Sequence, residues 1–291
     1  MEGRVGKSAP QQGDLVVALA QIATCPGQLR RNLDRHLEMV AKALEAGAHL
    51  VVFPELSVSG YLLAHGVLEH ALRLDDPLLS PLLDASRRAA ILVGLPLREA
   101  HGGISNAAVL LEGGEIRGVH RKLYLPTYGM FDEGRYFIPG PRLEPITCSL
   151  GRFGVLICED AWHLSSSAIL SRADLDAFIV ISGGPSELDL GGEPASGRRW
   201  HWILGAVAIT TVTPVFFTNR CGWEEGVLFG GASWAVDPRG ATIAGPAPAL
   251  EESLLVARLS RAAAARARTL TPIPCAERLE LWSTATERRD A

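Results

Sequence analysis

Cysteine is scarce in this chain. Five occur in 291 residues, at positions 25, 148, 158, 221 and 275, an odd number too widely scattered for a disulfide framework. No two have the close spacing of a zinc knuckle or a redox motif, so a reducing compartment, the cytoplasm, is expected. Clustered basic residues are also missing: 28 Lys and Arg face 32 Asp and Glu, for a formal net charge of −4. Phosphate binding depends on such clusters, so nucleic acid is not an expected partner. The best candidate for a membrane span is the uncharged stretch 203–219, but it contains four Thr and Pro214. It reads as a buried helix running into a strand, and no membrane partner is expected. The eight histidines show no metal-ligand spacing, and there is no G-x-S-x-G elbow. Neither a metal nor an organic cofactor is expected, and a serine triad is disfavoured.

What remains is an ordinary globular composition, 47% hydrophobic and 21% charged, with a core large enough for one sizeable domain. Residues 1–13 read as a disordered leader, 14–260 as the single domain, and 261–291 as an Ala- and Arg-rich helical tail. DLVVALAQI (14–22) has the pattern of a strand, and Leu33, Leu37, Val40 and Leu44 make one helical stripe. AHLVVFPE (48–55) is a short buried-strand run. A helix over 81–90, a strand over 91–97 and a hairpin over 104–122 turning at Gly113-Gly114 follow. The segment 123–141 is aromatic and proline-rich, without periodicity. A second round comprises a strand at 154–160, a helix through about residue 172, a strand at 178–182, a helix at 199–211 and a strand at 215–219. A second hairpin turns at 238–240, and LLVARL (254–259) is the last strand. Crossovers together with hairpins predict an α/β protein with mixed sheets.

Three ionisable residues lie where apolar runs end. Glu55 follows LVVFP, Lys122 closes the first hairpin, and Cys158 ends GVLI just before a helix. Ligands of open α/β sheets bind at such strand ends, and a thiol at a helix N-terminus ionises more readily. These three types suffice for acyl transfer: a thiol nucleophile, a carboxylate to take its proton, and a cation to receive the oxyanion. Each also has a plain structural explanation, as a core cysteine, a solvated lysine and a helix-capping glutamate.

Their contexts add what the single residues lack. VVFPELSVSGY (51–61), HRKLYLP (120–126) and GVLICEDAW (154–162) occur in that order, and each resembles a catalytic segment of the nitrilase superfamily of carbon–nitrogen hydrolases. The resemblance covers about residues 14–260. It implies a four-layer α-β-β-α sandwich with two mixed sheets and a homodimer or larger assembly, with the tail reaching across an interface. It also implies Glu55 as general base, Cys158 as nucleophile and Lys122 as oxyanion stabiliser, helped by the backbone N–H of Glu159. On the loop LPTYGMFDEGRYF (125–137), Glu133 is the expected second carboxylate, with Asp132 the weaker option.

YGMFDEGRYF and the Cys-Glu-Asp trio are more similar to the glutaminase domain of glutamine-dependent NAD synthetase than to aliphatic nitrilases. By that resemblance Tyr128, Phe131 and Glu159 would shape substrate choice, and Asn219 would lie in a loop near the site. Cys221, where relatives carry Val, is expected to pack rather than react. Trp162, Trp200 and Trp223 are candidate pocket walls or core aromatics. No second, ATP-using domain is read in the 291 residues, and SGGPSELDLGGEPASGRRW (182–200) departs from a glutamine pocket. The expected activity is that of a free-standing amidase forming a Cys158 thioester. A glutaminase feeding a partner synthetase, a nitrilase, an acyltransferase and a non-catalytic binding scaffold are the alternatives.

Overall fold

A computed structural model describes residues 13–187 and 196–281. The expected leader falls outside them save for its last residue, as do 282–291 of the tail. The strands are β1 (Leu15–Gln21), β2 (Leu50–Val52), β3 (Ala90–Arg98), β4 (Ile104–Glu112), β5 (Glu115–Arg121), β6 (Ile146–Cys148), β7 (Gly151–Ile157), β8 (Ala177–Ser182), β9 (Val215–Asn219), β10 (Cys221–Glu224), β11 (Val227–Gly230), β12 (Trp234–Val236), β13 (Thr242–Ala244) and β14 (Ser253–Leu259). They form two six-stranded sheets, ordered β14-β1-β2-β3-β4-β5 and β13-β12-β9-β8-β7-β6, with β10-β11 a separate hairpin.

From β14 to β5 the pairings run antiparallel, parallel, parallel, antiparallel, antiparallel, and from β6 to β13 they repeat that order. The chain therefore builds one topology twice, although no short sequence repeat announces it.

Alternation along the strands explains the layers. Leu15, Val17 and Leu19 of β1 join Val155, Ile157, Ile179 and Ile181 of β7 and β8 in one apolar cluster between the sheets. Val16, Ala18 and Ala20 point the other way, onto Leu33, Met39, Val40 and Ala43 of the helix Leu29–Glu45. Trp200, Leu204, Val207 and Ala208 of the helix Ser196–Thr211 cover the outer face of the second sheet. Two mixed sheets lie face to face between flanking helices, which is the α/β sandwich expected.

Several boundaries moved. The helix expected over 81–90 is Ser80–Ala85, because β3 takes over at Ala90. The strand expected over 48–55 is only Leu50–Val52; the chain leaves the sheet at Phe53 and turns, carrying Glu55 off the strand end. Gly94 of β3 permits that turn, since a Cβ there would lie 2.4 Å from the Pro54 carbonyl oxygen and 2.6 Å from the Leu56 nitrogen. The hairpin β10-β11 was not anticipated. The tail begins with the helix Arg261–Leu270, capped by the Ser260 hydroxyl, which accepts from the Ala263 N–H.

Candidate active site

The carboxyl ends of β2, β5, β7 and β8 meet, and each delivers one part of a buried cluster. Glu55 follows β2 and is 1% exposed; Lys122 follows β5 and is wholly buried. The Lys122 ammonium donates to Glu55 Oε1 at 2.7 Å and to Glu133 Oε1 at 2.6 Å, so one cation is held between two carboxylates. Glu55 is itself fixed on both oxygens, accepting from Asn106 Nδ2 at 2.8 Å and from the Gly183 N–H, beyond β8, at 2.7 Å. Glu133 Oε1 also accepts from the Tyr61 hydroxyl, while its Oε2 is buried with no hydrogen-bond partner. Asp132, the weaker candidate for that role, points outward with a mostly exposed side chain.

Cys158 stands at the first position of the short 3₁₀ turn Cys158–Trp162, directly after β7. Its φ of +46° is a left-handed conformation that a side chain adopts only under constraint, typically at a strain of about 1–3 kcal/mol. The constraint is Asp160. Its Oδ2 accepts from the Ile157 N–H at 3.0 Å and from His120 Nε2 at 2.8 Å. Its Oδ1 accepts from the Leu123 and Tyr124 N–H groups at 2.9 and 3.1 Å. One fully buried carboxylate thus ties the cysteine turn to the segment that follows Lys122. Ser182 Oγ donates to Cys158 Sγ at 3.4 Å.

The charges are unevenly settled. Burial works to lower the Lys122 pKa, but the carboxylates of Glu55 and Glu133 outweigh it and leave the ammonium well above its usual range. Burial raises the Glu133 carboxyl to about 7, with Lys122 opposing and Glu55 assisting the rise. Burial, then the Glu55 charge, pushes the Cys158 thiol well up, with Lys122 pulling against them. The resting cluster therefore holds a neutral thiol, a charged lysine and a Glu133 carboxyl that keeps its proton far more readily than an exposed glutamate.

The expected substrate-shaping residues border this cluster. Tyr128 donates its hydroxyl to Glu159 Oε2 at 2.8 Å, and the Phe131 ring meets those of Tyr128 and Tyr61 edge-on at 5.7 and 6.4 Å. Asn219 lies deeper. Its Oδ1 accepts from the Gly184 N–H at 3.0 Å and its Nδ2 donates to the Gly231 carbonyl at 2.9 Å, so both amide atoms brace the loop that presents Gly183. Trp200 is core, packed on Phe217; Trp162 leans on Trp200 and is half exposed, and Trp223 is exposed. Cys221 is buried, and burial raises its thiol to about 12, consistent with packing rather than reaction. The segment 182–200 is described only outside 188–195. Among the described residues no group of three or more His, Cys, Asp or Glu could hold a metal ion, and no helix is long and apolar enough to cross a membrane.

Sequence reading passed over Tyr61, Asn106, His120 and Asp160. Asn106 carried a signal, an amide inside the apolar strand run SNAAVLL. Tyr61, His120 and Asp160 lay within the quoted motifs, but nothing in their spacing shows that they meet.

Comparison with known proteins decides the family. The carbon–nitrogen hydrolase family model matches residues 16–269. The chain belongs to the carbon–nitrogen hydrolase family. A curated relative, the glutamine-dependent NAD(+) synthetase of Xanthomonas campestris pv. campestris, is 32% identical over 275 residues, covering 92% of this hydrolase and 47% of the relative. That of Acinetobacter baylyi is 29% identical over 240 residues, 82% of this chain and 43% of its own. The hydrolase thus spans about half the length of the curated relatives it matches. Among solved structures, an amidase from Nesterenkonia sp. superposes with a TM-score of 0.77 at 24% identity, covering 93% of this chain and 95% of that one. At that identity the likeness shows the fold. The nitrilase-superfamily resemblance read from the motifs holds.

Proposed function

We propose that the protein is a thiol hydrolase of non-peptide carbon–nitrogen bonds, an amidase that releases an amine or ammonia and a carboxylic acid through a Cys158 thioester. The observation that carries this reading is the convergence of Glu55, Lys122 and Cys158 from three separate strand ends onto one buried cluster. Because the thiol rests protonated, its proton moves to Glu55 as Sγ adds to the carbonyl carbon. The oxyanion forms against the Lys122 ammonium and the Glu159 N–H. Glu133 gives a proton to the leaving nitrogen, the C–N bond breaks, and the thioester remains. Lys122, hydrogen-bonded to both carboxylates, passes the proton taken by Glu55 on to Glu133, so the cluster ends acylation as it began. Water then adds with Glu55 as base, and the returning proton restores the thiol as the acid departs.

A glutaminase that feeds ammonia to a separate synthetase is the second reading, supported by the NAD synthetase relatives. A reducing cytoplasm and a homodimer or larger assembly complete the proposal. Five free cysteines support the first. The second is supported by Leu164, Ile169, Trp202 and Ile209, which are exposed on two packed outer helices.

Intact-mass trapping against glutamine, aliphatic amides, carbamoyl compounds and nitriles tests the reading. A covalent adduct on the wild type, absent from Cys158→Ala, is expected, and its mass names the acyl group. Hydrolysis persisting in Cys158→Ala refutes the mechanism. Glutamine turnover that rises only when a synthetase is added favours the second reading.

A further inference from the structure

The strand β8 reads AFIVIS, a run of apolar residues that ends in a serine, and every one of them is buried. A hydroxyl at the end of an apolar strand costs free energy unless it is hydrogen-bonded. Ser182 is wholly buried, and its Oγ donates to Cys158 Sγ at 3.4 Å, within hydrogen-bond reach of the larger sulfur atom. Among the described residues the hydroxyl makes no other hydrogen bond.

The backbone on either side fixes that hydroxyl. The Ser182 carbonyl accepts from the Arg220 N–H at 3.1 Å, and Ser182 lies opposite Asn219 in the parallel pairing of β8 with β9. Gly183 donates its N–H to Glu55 Oε2 at 2.7 Å, and the Gly184 N–H is held by Asn219 Oδ1 at 3.0 Å. Consecutive residues at one strand end thus address the nucleophile and its base, with a side chain on sulfur and a backbone N–H on the carboxylate.

We propose that Ser182 is a further catalytic residue, whose hydroxyl donates to sulfur and steadies the negative charge that Cys158 acquires as Glu55 takes the thiol proton. The inference deepens the amidase reading and rests on it. In acylation the S–H proton passes to Glu55, a sulfur lone pair forms the bond to the carbonyl carbon, and the carbonyl π pair moves to oxygen, against Lys122. Ser182 keeps its own proton throughout. When the thioester breaks, the C–S bonding pair returns to sulfur beside the same donor. Lys122 is shared by two carboxylates and faces the oxyanion, so a neutral donor given to sulfur has a separate task. Burial and then the Glu55 charge hold the thiol protonated, with Lys122 and the Ser182 hydroxyl working the other way. A hydrogen bond to a charged group is worth about 10- to 100-fold in an equilibrium, and a stabilised thiolate is a weaker nucleophile by roughly half of that on a logarithmic scale. The net gain in attack is therefore about three- to tenfold.

The test compares wild type with Ser182→Ala, which deletes the hydroxyl, and Ser182→Thr, which restores one. Iodoacetamide alkylation of Cys158, followed by intact mass, reports on sulfur without any amide hydrolysis. Single-turnover acylation by propionamide and by glutamine, read the same way, separates the limiting rate from half-saturation. Ser182→Ala should lower the alkylation rate and the limiting acylation rate about three- to tenfold with half-saturation unmoved, because the hydroxyl touches sulfur and not the bound amide. Ser182→Thr should react at least about twice as fast as Ser182→Ala. Alkylation slowed less than about threefold in Ser182→Ala, or no recovery in Ser182→Thr, overturns the role of Ser182 and leaves the amidase reading standing. Failure of both amides to acylate the wild type, with alkylation still slowed in Ser182→Ala, tells against the amidase reading and supports the donor.

Discussion

Acidification should weaken this fold through one buried histidine. His36, on the helix Leu29–Glu45, is wholly buried against Phe53, with ring centroids 4.1 Å apart. Its Nδ1–H donates to the Asn32 carbonyl at 2.6 Å, so Nε2 is left to accept from the Ser57 hydroxyl at 2.9 Å. Ser57 is two residues past Glu55, so the ring pins the turn that carries the proposed base. Burial lowers the His36 pKa from 6.5 to about 4, the Asn32 carbonyl opposing. The unfolded chain then binds a proton that the folded chain refuses. Stability from the neutral ring is present above about pH 6.5 and is lost as pH falls toward 4. Linkage gives a loss of about 2 kcal/mol between pH 7.5 and pH 5. Glu133 acts in the opposite direction, because a carboxyl raised to about 7 stabilises the fold below its ordinary range and ceases to do so as pH rises through 7.

Wild type alone would therefore show a muted pH response, and the informative comparison is with His36→Gln. Glutamine retains a donor for the Asn32 carbonyl and cannot titrate, while Glu133 is common to both proteins and cancels. Urea unfolding followed by tryptophan fluorescence at the two pH values supplies the numbers. The wild-type midpoint should fall, relative to the variant, by roughly 0.7 M for an m-value of about 3 kcal/mol/M. Parallel pH dependence in the two proteins would refute the reasoning, whatever the cost of the substitution at pH 7.5.

Glu133→Gln should lower kcat by about 100-fold or more, as expected for loss of a general acid, and should remove the activity limb near pH 7 from the pH–rate profile. Asp160→Asn places an amide donor against backbone donors. At about 1–3 kcal/mol for each orphaned N–H it should lower the thermal midpoint, and kcat should fall more than KM rises because the Cys158 turn loosens. Trp202→Glu, on the exposed face of the helix Ser196–Thr211, should reduce the sedimentation mass toward that of a monomer while leaving the far-UV spectrum unchanged.

The layered fold was readable because its signals are local. Strand runs such as LVVALAQ and AFIVIS, and the stripe of Leu33 and Val40, carry their own period, and three motifs in order fixed the family resemblance. The end of β2 was lost for a non-local reason: Phe53 and Pro54 continue an apolar run, but the chain turns there, where Gly94 on the neighbouring strand leaves room for it. The weak strands of β10-β11, with Gly222 and Glu224, have no alternation to read. In the site, residue types and strand-end positions were legible. The Asp160–His120 contact spans 40 residues and the Tyr61–Glu133 contact 72, and only the packed sheets bring such pairs together.

Those long-range contacts bear on why the proposed mechanism uses both carboxylates. Were Glu133 ionised together with Glu55, two negative charges would flank one lysine, and their net field would oppose charge developing on sulfur or the carbonyl oxygen. Interactions between unit charges in a protein interior are worth on the order of a few kcal/mol at these ranges, comparable to the whole effect of an oxyanion-hole donor. With Glu133 protonated, Glu55 and Lys122 cancel at rest. In the proposed acylation step, once Glu55 takes the thiol proton, Lys122 has no remaining carboxylate partner, and its full charge would be available to the oxyanion. The burial that lifts Glu133 toward 7, against the opposing hydrogen bonds from Lys122 and the Tyr61 hydroxyl, would thus bear on the same step as the nucleophile without touching sulfur. On the proposed mechanism, a lysine held between two carboxylates is effective only because one of them keeps its proton until the leaving nitrogen takes it.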